Sequence, residues 1–208
     1  MDIKRSKRWK GLSTNSKLIL STIAGLNLIA FVLLWAIESN NPLTLAPMSL
    51  GDQALNAWFH ATVPRSSGFN SLDLAQMKDA STLVTMLLMF IGGGSMSTAG
   101  GIKVGTFIIV LLSVISFLRR EDEIRVFNHS VSQKTSFKAM AVVSITAALI
   151  FLGIFSLSLI EPNHQFMDLL FEAISAACTV GLSRGITGEL QPASLFILML
   201  LMFAGRLG

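Results

Sequence analysis

Gly92-Gly93-Gly94-Ser95-Met96-Ser97-Thr98-Ala99-Gly100-Gly101 puts five glycines into ten residues. The stretch sits inside an apolar run, 80–118, whose one charge is Lys103. As one α-helix that run would measure about 58 Å, nearly twice the roughly 30 Å hydrocarbon core of a bilayer. Each glycine costs a helix up to about 1 kcal/mol relative to alanine. The run therefore reads as two shorter helices, 80–91 and 103–119, joined inside the membrane by a flexible loop of small residues. Lys103, at the end of that loop, is costly against lipid and is expected to face a cavity, a carbonyl or an acidic partner.

The rest of the chain supports a membrane setting. Of its 208 residues 52% are hydrophobic and 13% charged, against about 25% charged in a soluble domain, and mean hydropathy is +0.65. Lys17 is followed by the uncharged run 18–37 and Lys138 by 139–160. Each is long enough to cross a bilayer, which takes about 20 helical residues. A further apolar run starts at Pro192 and continues to Gly208. The first run is too long for the core of a signal peptide, and no small-residue cleavage site follows Glu38 closely. The competing reading is a buried helical hairpin of a soluble protein.

The net charge of +4 is a topology signal. Lys4, Arg5, Lys7, Arg8, Lys10 and Lys17 precede the first run, against Asp2 alone, and the link 119–138 carries Arg119, Arg120, Arg125, Lys134 and Lys138. Acids are in excess in the links 38–79 and 161–191. The positive-inside rule puts the N-terminus and the 119–138 link in the cytoplasm. An even number of crossings then separates them, as the runs supply. Beside membrane spans, this basic character argues for orientation and lipid contact, not for a nucleic-acid partner. The lone Cys178 excludes an internal disulfide and reads as a small packed thiol.

The order of segments repeats. Each half has a spanning run, a short amphipathic stretch (52–63 and 166–178), a loop centred on one glycine, and a second apolar run from 74 or 192. The loops are Arg65-Ser66-Ser67-Gly68-Phe69-Asn70 and Thr179-Val180-Gly181-Leu182-Ser183. The short stretches cannot span. They read as half-helices that dip into the membrane and return as extended backbone, which is tolerated there only inside protein or along a water-filled path. Glycine lets successive carbonyls turn toward one axis, and ringed carbonyls replace the hydration shell of a cation. Thr179-Val180-Gly181 begins like the Thr-Val-Gly-Tyr-Gly potassium filter and then departs at Leu182 and Ser183. One glycine per loop predicts a shorter filter with looser selectivity. The rival is a pair of ordinary extracellular turns.

The 92–101 loop has rival readings too. A phosphate-binding loop needs glycine directly before its lysine; here Ile102 intervenes and no strand precedes. A helix-packing seam of small residues is one alternative. A polar, flexible gate beneath the filter, moved by a cytoplasmic partner, is the other.

Taken together, these residues resemble the membrane subunit of the Ktr/Trk/HKT potassium transporter family, most nearly the bacterial KtrB type. The resemblance rests on Pro64-Arg65-Ser66-Ser67-Gly68-Phe69-Asn70, on the string from Phe90 to Lys103, on the segment from Thr179 to Thr187, and on Met202-Phe203-Ala204-Gly205-Arg206. It implies an all-α membrane protein with four helix–pore-loop–helix repeats around one pore and one filter glycine per repeat. This chain would hold the third repeat (18–119), a cytoplasmic link (120–136) and an incomplete fourth repeat (137–208), after a basic cytoplasmic segment (1–17). The implied K⁺ filter comprises Ser66, Ser67, Gly68 and Phe69 with Thr179, Val180, Gly181 and Leu182. The implied gate comprises Gly92, Gly93, Gly94, Ser95, Met96, Ser97, Thr98, Ala99, Gly100, Gly101 and Lys103, with Arg206 near it.

The resemblance further implies a multi-pass plasma-membrane protein with no covalent cofactor, carrying K⁺ as substrate. It leaves open a coupling or activating role for Na⁺. Implied partners are the first two repeats, a second complete subunit in a homodimer, and a cytoplasmic nucleotide-binding subunit of the KtrA/TrkA type. A four-loop pore cannot close with two loops, so the chain as given is expected not to transport potassium by itself. It reads as the C-terminal portion of the subunit, from a truncated or split frame. A broken-helix secondary transporter predicts inverted repeats, whereas both units here run in the same sense. A non-transporting fragment that assembles with intact subunits is the remaining alternative. His60, His129 and His164 lie in separate segments, read as surface or interfacial, and no catalytic constellation converges.

Overall fold

A computed structural model of the chain describes residues 14–65, 67–94, 100–120, 124–126 and 129–207. Its helices are α1 (Thr14–Glu38), α2 (Leu50–Thr62), α3 (Asp79–Phe90), α4 (Val104–Leu118), α5 (Gln133–Ile160), α6 (Phe166–Ala177) and α7 (Pro192–Leu207), with 3₁₀ turns at Leu74–Gln76 and Ile186–Glu189. α1 and α5, of 25 and 28 residues, extend about 37 and 42 Å at 1.5 Å per residue. Only 11% and 22% of their most apolar windows are buried. Helices of that length with Leu28, Ile29, Val32, Ile145, Phe151 and Leu159 exposed are suited to lipid rather than to the interior of a soluble protein. The broken run takes the form expected of it, with α3 ending at Phe90 and α4 starting at Val104.

One boundary moves for a physical reason. α5 begins at Gln133, ahead of its apolar run, because Ser132 is its N-cap and the Ser132 side chain accepts from Thr135 N. A serine cap satisfies one of the free amides of the first turn, and lysines such as Lys134 and Lys138 do not interrupt a helix. The link also carries two short antiparallel strands, β1 (Ile124–Val126) and β2 (His129–Val131), paired Ile124 to Val131 and Val126 to His129. The all-helical expectation holds for the transmembrane part and is amended in this link.

Both units tie the end of their first helix to the start of their last with the same device. Glu38, the last residue of α1, is buried and accepts from Asn41 Nδ2 at 2.7 Å, Thr44 Oγ1 at 2.5 Å and the backbone N–H of Lys78 at 2.9 Å. Lys78 is the N-cap of α3. Glu161, the residue after α5, accepts from Gln191 N–H at 2.7 Å and Ser194 Oγ at 2.7 Å, at the start of α7. In each unit a carboxylate from the end of the first helix receives a free amide at the positive N-terminus of the last. The same sequence separation divides Lys78 from Gln191, Ser81 from Ser194 and Gly68 from Gly181.

The core runs across both units and is centred on α6. Leu169, Phe171, Ala173, Ala176 and Ala177 of α6 are buried with Met86 and Met89 of α3, Leu157 of α5 and Leu198 of α7. Small residues set the closest approaches. A Cβ on Gly205 of α7 would overlap the carbonyl oxygen of Ala177, so α7 meets the end of α6 backbone to backbone. A second cluster joins Ile91, Val104 and Ile108 to Leu18, Ile23 and Leu26 of α1, and holds the two ends of the broken helix beside the first span.

The Glu38 contacts predict that Glu38→Leu takes the carboxylate acceptor from the buried Thr44 hydroxyl and Asn41 amide, at about 1–3 kcal/mol for a buried donor left unpaired; thermal unfolding in detergent should show a clear drop. The Glu161 carboxyl is held below its ordinary value of 4.5, first by the Gln191 amide and then by the Ser194 hydroxyl. A carboxylate whose value is lowered on folding contributes stability above its ordinary value and loses it as pH falls. The unfolding temperature should therefore fall through pH 4.5 and below, and Glu161→Gln should flatten that limb.

Candidate functional site

The two single-glycine loops meet. Gly68 has φ +68° and Gly181 has φ +87°, a region open to glycine at no steric cost. A Cβ on Gly181 would stand 3.5 Å from the Cα of Gly68; one on Gly68 would stand 3.3 Å from Val180 O and 3.6 Å from Gly181 O. The oxygens of Val180 and Gly181 therefore turn toward the opposite loop instead of into a helix. Val180 is buried and its N–H donates to Ser175 O at 2.9 Å; Leu182 is buried and its carbonyl accepts from Ser175 Oγ at 2.6 Å. Ser67 and Phe69 flank Gly68 on the exposed side. Ser66 lies outside the described residues.

The glycine-rich segment docks against the same place. Its neck is closed by Gly92 N–H to Ile102 O (2.9 Å), Ile102 N–H to Phe90 O (3.0 Å) and Val104 N–H to Gly93 O (3.1 Å). Gly92 and Gly93 are buried and Gly94 packs toward Ile19 of α1. At the far end Gly100 N–H donates to Thr179 Oγ1 at 3.0 Å. A Cβ on Gly100 would lie 2.5 Å from that oxygen and 2.7 Å from Cys178 O, and one on Gly101 would lie 3.3 Å from Cys178 Sγ. The loop thus touches the second unit where α6 ends and the glycine loop begins. Thr179, β-branched, has φ +52° there, a strained conformation for such a residue. Lys103 is the half-buried N-cap of α4, and Arg206 is exposed in the last turn of α7. Ser95, Met96, Ser97, Thr98 and Ala99 lie outside the described residues.

Beyond the glycine, the second loop is tied down by Glu172 of α6. This buried carboxylate accepts from Ser183 Oγ (2.6 Å), Thr187 Oγ1 (2.9 Å) and Arg184 N–H (3.0 Å). The Arg184 side chain is buried too. Its Nε donates to Asp168 Oδ1 at 2.6 Å, Nη1 to Thr82 Oγ1 at 2.6 Å and Nη2 to Ala75 O at 3.3 Å. A cavity of about 410 Å³ opens beside Glu172, Ser175, Thr179, Gly181 and Met202.

Several of these residues escaped the sequence reading. Glu38 and Glu161 sit in a matched pattern, Ile37-Glu38-Ser39-Asn40 and Ile160-Glu161-Pro162-Asn163, which could have revealed them. Glu172 and Arg184 carried no such signal. His60 corrects an expectation: it is 1% exposed, not at the surface, because α2 packs it against α3, where Nε2 lies 3.0 Å from Thr85 Oγ1. His164 is partly exposed beside Glu161. Arg65, ahead of Gly68, has buried Nε and Nη2 atoms with no hydrogen-bond partner among the described residues. Cys178 is fully buried, as a packed thiol should be.

Comparison with known proteins follows the same lines. The family model described as TrkH, cation transport protein, matches residues 12–208. The chain is 42% identical to Ktr system potassium uptake protein B of Bacillus subtilis (strain 168), over 100% of this chain and 46% of that protein. It is 37% identical to Ktr system potassium uptake protein B of Vibrio alginolyticus, over 95% and 43%. The crystal structure of the potassium transporter TrkH from Vibrio parahaemolyticus shares the fold with a TM-score of 0.76 at 20% identity, covering 96% of this chain and 42% of that one. The chain spans less than half the length of these relatives.

The docking of the glycine segment yields a prediction. Gly100→Ala forces a methyl into Thr179 Oγ1 and Cys178 O, and overpacking of this kind costs about 1–3 kcal/mol. A lowered unfolding temperature is expected, whereas Gly188→Ala, with open space around it, should leave it in place.

Proposed function

The chain belongs to the TrkH family of cation transport proteins, and from that premise we propose that it forms part of a potassium uptake pathway in which K⁺ passes between the two glycine loops. The observation that carries this reading is the approach of Gly68 to Gly181, with the oxygens of Val180 and Gly181 turned toward it. Backbone oxygens fixed in that manner can replace water around a cation. Ser67, Phe69, Thr179 and Leu182 border the path. Two loops supply part of a ring, and further loops of the same kind complete it in the assembled transporter.

The segment 92–103 acts as the gate. In support, its neck is pinned by backbone bonds and its Gly100 end is bonded to the first residue of the second glycine loop. A displacement of the segment would therefore be felt at Thr179. Lys103, at the end of the segment, adds a positive charge suited to repelling cations when the gate is closed, and Arg206 is assigned the same part. The chain lies in the plasma membrane with its N-terminus and the 119–138 link in the cytoplasm. There the basic link offers a contact for a nucleotide-binding regulatory subunit, and complete subunits pair as homodimers.

In the intact transporter, Gly181→Asp should weaken apparent K⁺ affinity for uptake at least tenfold, about 1.4 kcal/mol; unchanged affinity would contradict the filter reading. Deletion of 95–100 should raise flux if the segment is a gate. A packing seam would instead lose stability and flux together.

A further inference from the structure

We propose that Arg184 is a positioning residue that sets the cation preference of the glycine-loop pair by clamping the second loop onto the first unit. The inference rests on the reading of those loops as a K⁺ path. Arg184 lies three residues beyond Gly181 and is 9% exposed. Its backbone N–H is held by Glu172 and its guanidinium is paired with Asp168, both on α6 of its own unit. The remaining donors cross to the other unit: Nη1 reaches Thr82 on α3 and Nη2 reaches the Ala75 carbonyl in the 3₁₀ turn that follows the first glycine loop.

The chemistry needs arginine. A guanidinium presents donors in a rigid planar fork, so one side chain can hold a carboxylate, a hydroxyl and a carbonyl at once; an ammonium on a flexible stem cannot hold the same three directions. Buried and bonded through all three of its nitrogens, such a group is stiff, and its removal takes from Asp168 its ion-pair partner. The segments that follow Gly68 and Gly181 are thereby fixed to each other. Among the described residues no backbone hydrogen bond joins Gly68 to Gly181, so that brace governs the spacing of the Val180 and Gly181 oxygens from the first loop. Cation choice by carbonyl cages depends on such spacing or on the number and stiffness of the carbonyls, so either mechanism passes through Arg184.

Charge alone predicts the opposite sign. A cationic group near the path repels every cation, so its loss would strengthen binding of K⁺ and Na⁺ alike. Loss of a positioning clamp weakens K⁺ selectively. The experiment is thermal unfolding of the intact transporter in detergent at constant ionic strength, with KCl or NaCl replacing choline chloride. A ligand bound only to the folded state raises the unfolding temperature by mass action.

For Arg184→Gln the K⁺ concentration for half-maximal stabilisation should rise about tenfold, 1.4 kcal/mol, with that for Na⁺ little changed. Thr82→Val, which removes one cross-unit contact and keeps the charge, should move K⁺ in the same direction by a smaller factor and keeps the test available if Arg184→Gln fails to fold. Arg184→Lys should restore the effect only in part. Unchanged ion midpoints with a lower unfolding temperature in choline would reduce Arg184 to a structural brace and overturn the proposal. Full recovery with lysine, or tighter binding of both ions, would overturn it in favour of charge. Absence of any K⁺-dependent shift in the unmodified protein would instead sink the filter reading itself.

Discussion

Backbone that leaves the helix inside a bilayer must find its hydrogen-bond partners in protein, and the arrangement of this chain follows from how it meets that demand. Among the described residues, the two single-glycine loops and the ends of the segment between α3 and α4 are non-helical backbone between apolar helices. All three converge on the C-terminal end of α6. Val180 is bonded back to Ser175, Leu182 to the Ser175 hydroxyl, and Gly100 to Thr179. α6 is consequently the most enclosed helix, with Phe171 and Ala173 fully buried, while α1 and α5 present apolar flanks to lipid.

The convergence requires residues without bulk. Gly100 and Gly205 let two separate backbones reach the last turn of α6, and Gly68 and Gly181 let the loops face each other. Charged residues serve the same end by different means. Glu38 and Glu161 cap the returning helices, Glu172 gathers the segment after Gly181, and Arg184 ties it across to the neighbouring unit. Each carboxylate has at least two donors. That satisfaction is what makes a buried charge tolerable in such surroundings.

Much of this was legible in the residues. The two long apolar runs became α1 and α5, the glycine cluster broke the third run within a residue or two of the expected ends, and the two loop glycines took left-handed φ values. These features obey local rules: apolar length, helix propensity and the steric freedom of glycine. The partners of Arg184 in the other unit, Thr82 and Ala75, lie 102 and 109 residues away in sequence, and no periodicity announces them. His60 shows the same limit, since a histidine in a short amphipathic stretch gives no hint that Thr85 will cover it. The capping carboxylates occupy an intermediate place. Their repeated Ile-Glu-x-Asn pattern is visible, yet its meaning depends on where Lys78 and Gln191 return.

If the facing glycine loops form part of a K⁺ path, the ion must be found between them. Crystals of the intact transporter soaked in Rb⁺, an anomalous scatterer that substitutes for K⁺, should show a peak between Gly68 and Gly181, within coordination distance of the Val180 and Gly181 oxygens. An occupied site elsewhere in the pore with no density between these glycines would contradict the account.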